Sequence, residues 1–239
     1  MIQANPIPGP VNWAGYLAAT LLLTLPAAVL TVRSGAWQQG LLLFAISCAG
    51  AAILLALAVI MLLLPRFAPW RKAIAGRALL TIPGTGLLLL LLGGAGDYPS
   101  IHDISTDLQD PPVFTAAEQQ RGEHSNPLQL DPATIELQRQ GYPDLHTTLS
   151  TMDIDAAFDR ALELATRMGW EVYHQDRNAG VIEAVDTTAL MGFKDDIVIR
   201  VRSNADGTLI DLRSVSRVGR GDLGANAKRI RHFQQQLQP

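Results

Sequence analysis

The acidic residues of this chain all lie on one side of a sharp boundary. No Asp or Glu occurs in the first 96 of its 239 residues, and all 22 acids occur from Asp97 onward. The front carries five charged residues, all basic: Arg33, Arg66, Arg71, Lys72 and Arg77. The remainder carries the 22 acids with 14 of the 19 bases. Such a split predicts a front that faces lipid and a back that faces water.

Three apolar stretches fill the acid-free front, at about residues 13–32, 40–64 and 78–95. A helix needs roughly 20 apolar residues to cross the hydrocarbon core of a bilayer. The first two stretches supply them without a charge, so we predict three transmembrane helices within residues 1–96. A cleavable signal peptide is the alternative for the first stretch, but residues 1–12 lack the Lys or Arg that its start requires.

The basic residues indicate how these helices are oriented. Arg66, Arg71, Lys72 and Arg77 lie between the second and third stretches, against Arg33 alone between the first and second. Because positively charged loops stay in the cytoplasm, we expect a multi-pass protein of the bacterial inner (plasma) membrane. Its N-terminus would be cytoplasmic and its C-terminal domain periplasmic. The stretches contain no Asp, Glu, Lys, Arg or His, which favours an anchor over a transporter.

The acidic half begins with a proline-rich segment. Residues 97–150 are expected to form an extended connector with one short helix near 132–140. Residues 151–239 show clear helix and strand periods, which predict an α+β domain. Its elements are a helix, four strands and a helix, at about 157–168, 170–175, 181–188, 196–203, 209–217 and 222–237. The predicted fold is a four-stranded antiparallel sheet with two helices on one face.

Alternation along the strands assigns the two faces of this sheet. Apolar residues are predicted to face the helices: Ile197, Ile199, Val201, Ile210 and Leu212. Charged residues are predicted on the other face: Arg200, Arg202, Asp211, Arg213 and Arg217. Two alternatives remain for that face. It is either exposed to solvent and contains cross-strand ion pairs, or it binds an anion beneath the 98–114 segment. The candidate ligand-binding residues are Arg200, Arg213, Arg217 and Arg220.

Two short motifs suggest chemistry. The segment HDISTD makes His102, Asp103 and Asp107 the candidate catalytic residues, although Asp, Ser and Thr also organise turns. No second His lies close by in the sequence, so we predict no metal site and no cofactor. The second motif, GRGDLG at 219–224, leads into the last helix. An anion could bind at that helix N-terminus, but we expect Asp222 to cap it.

Several segments of the acidic half resemble a known family. They are HDISTD (102–107), DPPVF (110–114), FKDDIVIRVR (193–202) and DLRSVSRVGRGDLGANAKRIRHF (211–233). Together they resemble the DUF1499 family of domains of unknown function over about residues 100–237. The resemblance implies the fold unit, and with the apolar front it implies a membrane-anchored branch. Many family members carry cysteines near the start of the domain, whereas the single cysteine here, Cys48, lies in the second apolar stretch.

The sequence leaves several hypotheses about function. The first is a non-catalytic binding or envelope-associated module, whose partners would be the lipid bilayer and an anionic ligand, lipid headgroup or envelope protein, and no nucleic acid. The alternative is a hydrolase-like enzyme that acts on a membrane-proximal substrate through the 102–107 cluster and the 213–220 arginines. It requires those groups to meet within hydrogen-bonding reach. A third is assembly through small residues of the apolar helices, such as Gly50 and Ala51.

Overall fold

The computed structural model describes residues 6–94, 96 and 98–237. The chain divides into two compact units, Met1–Gly96 and Asp97–Pro239. The boundary between them coincides with the change in composition. Asp97 itself and Ala95, the predicted end of the third apolar stretch, lie outside the described residues.

The N-terminal unit is built from helices. Its elements are α1 (Gly9–Arg33), α2 (Trp37–Leu63), a 3-10 helix (Pro65–Trp70), α3 (Arg71–Ala78), a second 3-10 helix (Leu79–Thr81) and α4 (Ile82–Gly94). Three stretches are long and apolar enough to cross a membrane, namely Gly9–Arg33, Trp37–Leu63 and Pro65–Gly93. The predicted number of such helices is confirmed. The third, however, begins at Pro65, because the basic segment is itself helical and buries Ile74 to 3% exposure.

Small residues bring these helices close together. A Cβ placed on Gly84 of α4 would lie 2.8 Å from the Cβ of Ala51 in α2. One placed on Gly50 would lie 2.9 Å from the side chain of Leu21 in α1. Cys48 is fully buried in α2. Gly50 and Ala51, which suggested assembly between copies, are thus used for packing within the chain.

The C-terminal unit contains a six-stranded sheet and not the predicted four-stranded one. Its elements are β1 (Asp103–Ser105), α5 (Ala117–Gln120), α6 (Pro132–Gly141), β2 (Thr148–Ser150), α7 (Ile154–Arg167), β3 (Glu171–Asp176), β4 (Val181–Thr187), β5 (Lys194–Asn204), β6 (Gly207–Ser216) and α8 (Ala225–Leu237). The spatial order is β1-β6-β5-β4-β3, with β2 also on β6, and each pairing is antiparallel.

The two additional strands come from the segment predicted to be an extended connector. β1 pairs with Arg213–Val215 of β6, and β2 pairs with Thr208–Ile210 of the same strand. Each added strand has three residues, which is too few for a period of two to be visible in the sequence. The connector therefore completes one edge of the sheet.

Helices α7 and α8 cover one face of the sheet with apolar side chains. The five residues predicted to face them are at most 2% exposed: Ile197, Ile199, Val201, Ile210 and Leu212. Phe233 of α8 stacks on Trp170 with their ring centroids 5.5 Å apart. Asp153 caps α7 by accepting a hydrogen bond from the Ala156 amide at 2.9 Å. Apolar burial of this kind contributes about 25 cal/mol per Å², so this face is held by the hydrophobic effect.

Candidate functional site

The charged face of the sheet is covered by residues 103–128, which we call the covering segment. The side chains between them form what we call the charged layer. Its members are Asp103, Asp107, Asp110 and Arg121 from the covering segment, and Glu183, Asp196, Arg200, Arg202, Asp211, Arg213 and Arg217 from the sheet. Glu183, Asp196 and Asp211 are fully buried. One of the two expectations was a solvated face with cross-strand ion pairs. The ion pairs are present, between Asp211 and both Arg200 and Arg202, but the covering segment lies over this face, and its rim at Arg202 and Asp110 stays open to water.

Asp103 and Arg213 form a buried pair at the β1–β6 edge. The Nε and Nη2 of Arg213 donate to the two carboxylate oxygens of Asp103 at 2.9 and 2.7 Å. Nη2 also donates to the carbonyl of Leu128 at 2.6 Å, and Nη1 to that of Pro112 at 3.3 Å. Both side chains are about 5% exposed or less. Arg213 thus binds three points of the covering segment, and its guanidinium engages both oxygens of Asp103.

Arg200 and Arg202 hold the next part of the covering segment. Both guanidinium groups donate to Asp107, Asp110 and Asp211, at distances between 2.8 and 3.3 Å. The three carboxylates outnumber the two arginines, so the cluster carries a net negative charge. Anion binding at Arg200 is therefore disfavoured, since its charge is already offset inside the fold.

Asp107 is stabilised in its ionised form. Burial by itself would raise the pKa of Asp107, but hydrogen bonds from the backbone amides of Asp110 and Gln109 and from Arg202, with the nearby charge of Arg200, hold that pKa below its ordinary value. A carboxyl group with a lowered pKa is a poor general acid or base near neutral pH. The environment of Asp107 suits a structural ion pair.

The third cluster of the charged layer is centred on Asp196. Arg217 donates to its two oxygens at 3.0 and 2.7 Å and to the carbonyl of Gln120 at 2.8 Å. Arg121 brings its Nε to 3.3 Å from the same carboxylate. The three nitrogens of Arg121 are buried without a hydrogen-bond partner in the described part of the chain, and burial lowers its pKa. Asp196 therefore fixes Arg217 and the end of α5 together.

Glu183 anchors the start of α5 without an arginine. Its Oε1 accepts hydrogen bonds from the Thr115 amide at 2.6 Å and the Ala116 amide at 3.0 Å. The Tyr173 hydroxyl donates to its Oε2 at 3.4 Å. Burial and the charges of Asp196 and Glu183 raise the pKa of Tyr173, so its hydroxyl keeps its proton. Backbone amides replace the missing cation here.

The candidate residue His102 lies against the glycine turn at 219–224. Its Nδ1 is 3.3 Å from the carbonyl oxygen of Arg220, and its own carbonyl accepts from the Ser216 amide at 2.9 Å. A Cβ on Gly221 would lie 3.3 Å from the Cα of Ser100, so glycine permits this close approach. The 102–107 segment and the turn therefore meet, as the enzyme hypothesis required. Asp103 is bound by Arg213, one of the arginines that the enzyme hypothesis named, whereas Asp107 is bound by Arg200 and Arg202.

Asp222 caps the last helix. Its carboxylate accepts hydrogen bonds from the Gly224 amide at 2.8 Å and the Asn226 amide at 2.7 Å. Burial raises the pKa of Asp222 against the opposing effect of those two bonds. Helix α8 begins at Ala225. Because Asp222 already accepts the hydrogen bonds of these two backbone amides, they are not available to bind an anion at the N-terminus of the helix.

Among the seven candidate residues, only Arg220 presents an exposed side chain with no protein partner in the described region. Arg200, Arg213 and Arg217 are held by carboxylates. The described residues contain no group of three His, Cys, Asp or Glu that could hold a metal ion. The arrangement is suited to clamping a segment onto a sheet and lacks a free acid–base pair.

A second buried polar cluster lies on the helix side of the sheet and was not predicted. Arg229 of α8 donates to Asp195 at 2.6 Å, to Asp186 at 2.8 Å and to Asn226 at 2.5 Å. The Ser214 hydroxyl completes the cluster by donating to Asn226 at 2.7 Å. The sequence signal was Asp195, which precedes the apolar run Ile197–Ile199 of β5 and needs a partner if it is buried.

A family profile described as "Protein of unknown function (DUF1499)" matches residues 103–237. The chain belongs to the DUF1499 family. The match begins at β1 and ends at the last residue of α8, so the covering segment is part of the family domain. A search of the curated proteins finds no match.

Proposed function

We propose that this DUF1499 protein is anchored in a bacterial inner membrane and that its C-terminal unit is a non-catalytic binding module in the periplasm. The observation that carries the proposal is the engagement of both candidate catalytic carboxylates by arginines, Asp103 by Arg213 and Asp107 by Arg200 and Arg202. The three apolar helices and the basic segment at 66–77 support the anchor and its orientation.

The binding surface that we propose lies at the exposed rim of the glycine turn. Arg220 is exposed there, Leu223 is 67% exposed, and Tyr98, which packs against Gly224, is 46% exposed. Leu223 has a φ of +53°, a conformation that is costly for a side chain of its size. Such strain is retained where the surrounding structure enforces it and is concentrated at functional sites. An anionic group on an envelope partner would pair with Arg220.

A hydrolase screen separates the proposal from the enzyme alternative. The full chain in detergent is tested against ester, phosphoester and peptide substrates, beside His102→Gln and the matched exposed control His124→Gln. We expect no turnover that depends on His102. Turnover in the wild type that falls more than tenfold in His102→Gln and not in the control would establish catalysis and end the proposal.

The binding surface has its own test. A photoreactive amino acid replaces Leu223 in living cells, with the same replacement at Leu149 of β2, which is 57% exposed, as the control. We expect a discrete adduct from position 223 that disappears when Arg220→Glu reverses the charge. The proposed binding surface would be refuted if positions 223 and 149 gave identical adducts, or if the adduct from position 223 stayed unchanged in the Arg220→Glu variant.

A further inference from the structure

A groove in the N-terminal unit combines an apolar wall with a basic rim. It has a volume of about 300 Å³ and is lined by residues of α1, α2, α3 and the two 3-10 helices, together with Leu64. Twelve of its fifteen lining residues are apolar, among them Val11, Leu57, Met61 and Ile74. The exceptions are Arg66, Arg77 and Thr81. A volume of this size is at the lower end of ligand pockets, and the lining suits an amphiphile with a hydrocarbon chain and an anionic head.

Arg77 is held at this groove by a built arrangement. Its Nη2 donates to the Oδ1 of Asn12 at 2.6 Å and its Nη1 to the carbonyl of Ala73 at 3.0 Å. Gly15 makes room for it, since a Cβ there would lie 2.8 Å from the Cδ of Arg77. A guanidinium fixed in this way is positioned at the groove and has remaining donor capacity for phosphate oxygens.

The charge at this rim has no counter-charge in its own unit. The first 96 residues contain no Asp or Glu, so Arg66, Arg77 and their neighbours Arg71 and Lys72 cannot form ion pairs there. Arg66 is exposed, and its guanidinium lies 4.8 Å from the ring centroid of Phe67. In the charged layer of the C-terminal unit, by contrast, every buried arginine lies beside a carboxylate.

We propose that this groove binds one anionic glycerophospholipid, with its phosphate against Arg66 and Arg77 and an acyl chain along the apolar wall. The first turns of α1 and the last turns of α2 form the wall, so it lies at the end of the bundle that carries the basic segment. Basic pockets between membrane helices on the cytoplasmic side commonly bind anionic headgroups. The site is distinct from the surface proposed above and does not depend on it.

Native mass spectrometry of the full chain tests this site. The protein is stripped of lipid in mild detergent and given phosphatidylglycerol, phosphatidylcholine of the same acyl chains, or inorganic phosphate. We expect one phosphatidylglycerol to be retained at least about tenfold better than phosphatidylcholine, and the double variant Arg66→Gln/Arg77→Gln to lose that preference. The control Arg71→Gln/Lys72→Gln removes the same charge outside the groove and should keep the preference.

Two further variants keep the test decisive if the double variant fails to fold. Arg66→Gln alone breaks no hydrogen bond of the described helices and should weaken phosphatidylglycerol retention. Ala58→Phe fills the groove without changing its charge and should abolish retention. Equal loss in both double variants, full retention in Ala58→Phe, displacement by millimolar inorganic phosphate, or occupation of the groove by a second copy would each overturn the proposal.

Discussion

The two faces of the C-terminal sheet are sealed by different physical interactions. The helix face is closed mainly by apolar side chains such as Ile199 and Phe233, which are fully buried. The opposite face is closed by the charged layer, in which Asp103, Asp196 and Asp211 bind arginines. Apolar burial is non-directional and tolerates substitution by residues of similar size. A buried ion pair is stable only while both partners are present, so the second face should depend on the pairing of its groups, and the loss of one partner should be partly repaired by the loss of the other.

The largest effect is expected on the apolar face. Phe233→Ala removes a fully buried ring that stacks on Trp170 and should lower the free energy of unfolding by about 4 kcal/mol. Hydrogen exchange of the β5 amides in the full chain measures this free energy. The control Gln235→Ala alters an exposed position of the same helix and should change it by less than about 0.5 kcal/mol. Equal effects of the two variants would show that α8 does not seal this face.

The charged face should respond nearly as strongly to the loss of one partner. Arg213→Met leaves Asp103 buried without a cation and should cost about 3 kcal/mol. The double variant Asp103→Leu/Arg213→Met should recover most of that loss, because two apolar groups need no pairing. Equilibrium denaturation of the full chain in detergent provides the comparison. A double variant as unstable as the single one would mean that the pair is held by more than its mutual charge.

A smaller effect is expected from acid. The lowered pKa of Asp107 means that its contribution to stability is complete above the unfolded pKa, near 3.9, and is lost as the pH falls through the folded value. Asp107→Asn should therefore be less stable than the wild type at pH 7, and the difference should shrink below about pH 4. Denaturation of both proteins across this range measures the difference. A gap that stays constant with pH would show that Asp107 is not ionised in the folded protein.

The smallest effect is expected for ion pairs that are exposed to solvent. Glu136 and Arg139 pair on α6 at 2.8 Å, but both are more than half exposed. Arg139→Gln should change the free energy of unfolding by less than about 0.5 kcal/mol. The same denaturation experiment gives the value. A loss comparable to that of Arg213→Met would remove the distinction between paired charges that are covered and those in water.

The contrast between the faces also explains what the sequence could predict. Alternation in β5 and β6 placed Ile199 and Leu212 correctly, because a period of two is a local property of the chain. The partner of Arg213 lies 110 residues away, and nothing local to either residue indicates the pairing. β1 and β2 were missed for a related reason, since each three-residue strand is defined by its partner on β6. The contact between His102 and the glycine turn was anticipated only as a condition of the enzyme hypothesis.

The central claim is that ion pairs clamp the covering segment onto the sheet. Hydrogen exchange of residues 103–128 in the full chain, compared between the wild type and Arg213→Met, tests it most directly. Since 1.4 kcal/mol corresponds to a factor of ten, a loss of about 3 kcal/mol predicts exchange roughly 100-fold faster in this segment. Unchanged exchange of residues 103–128 would contradict the account.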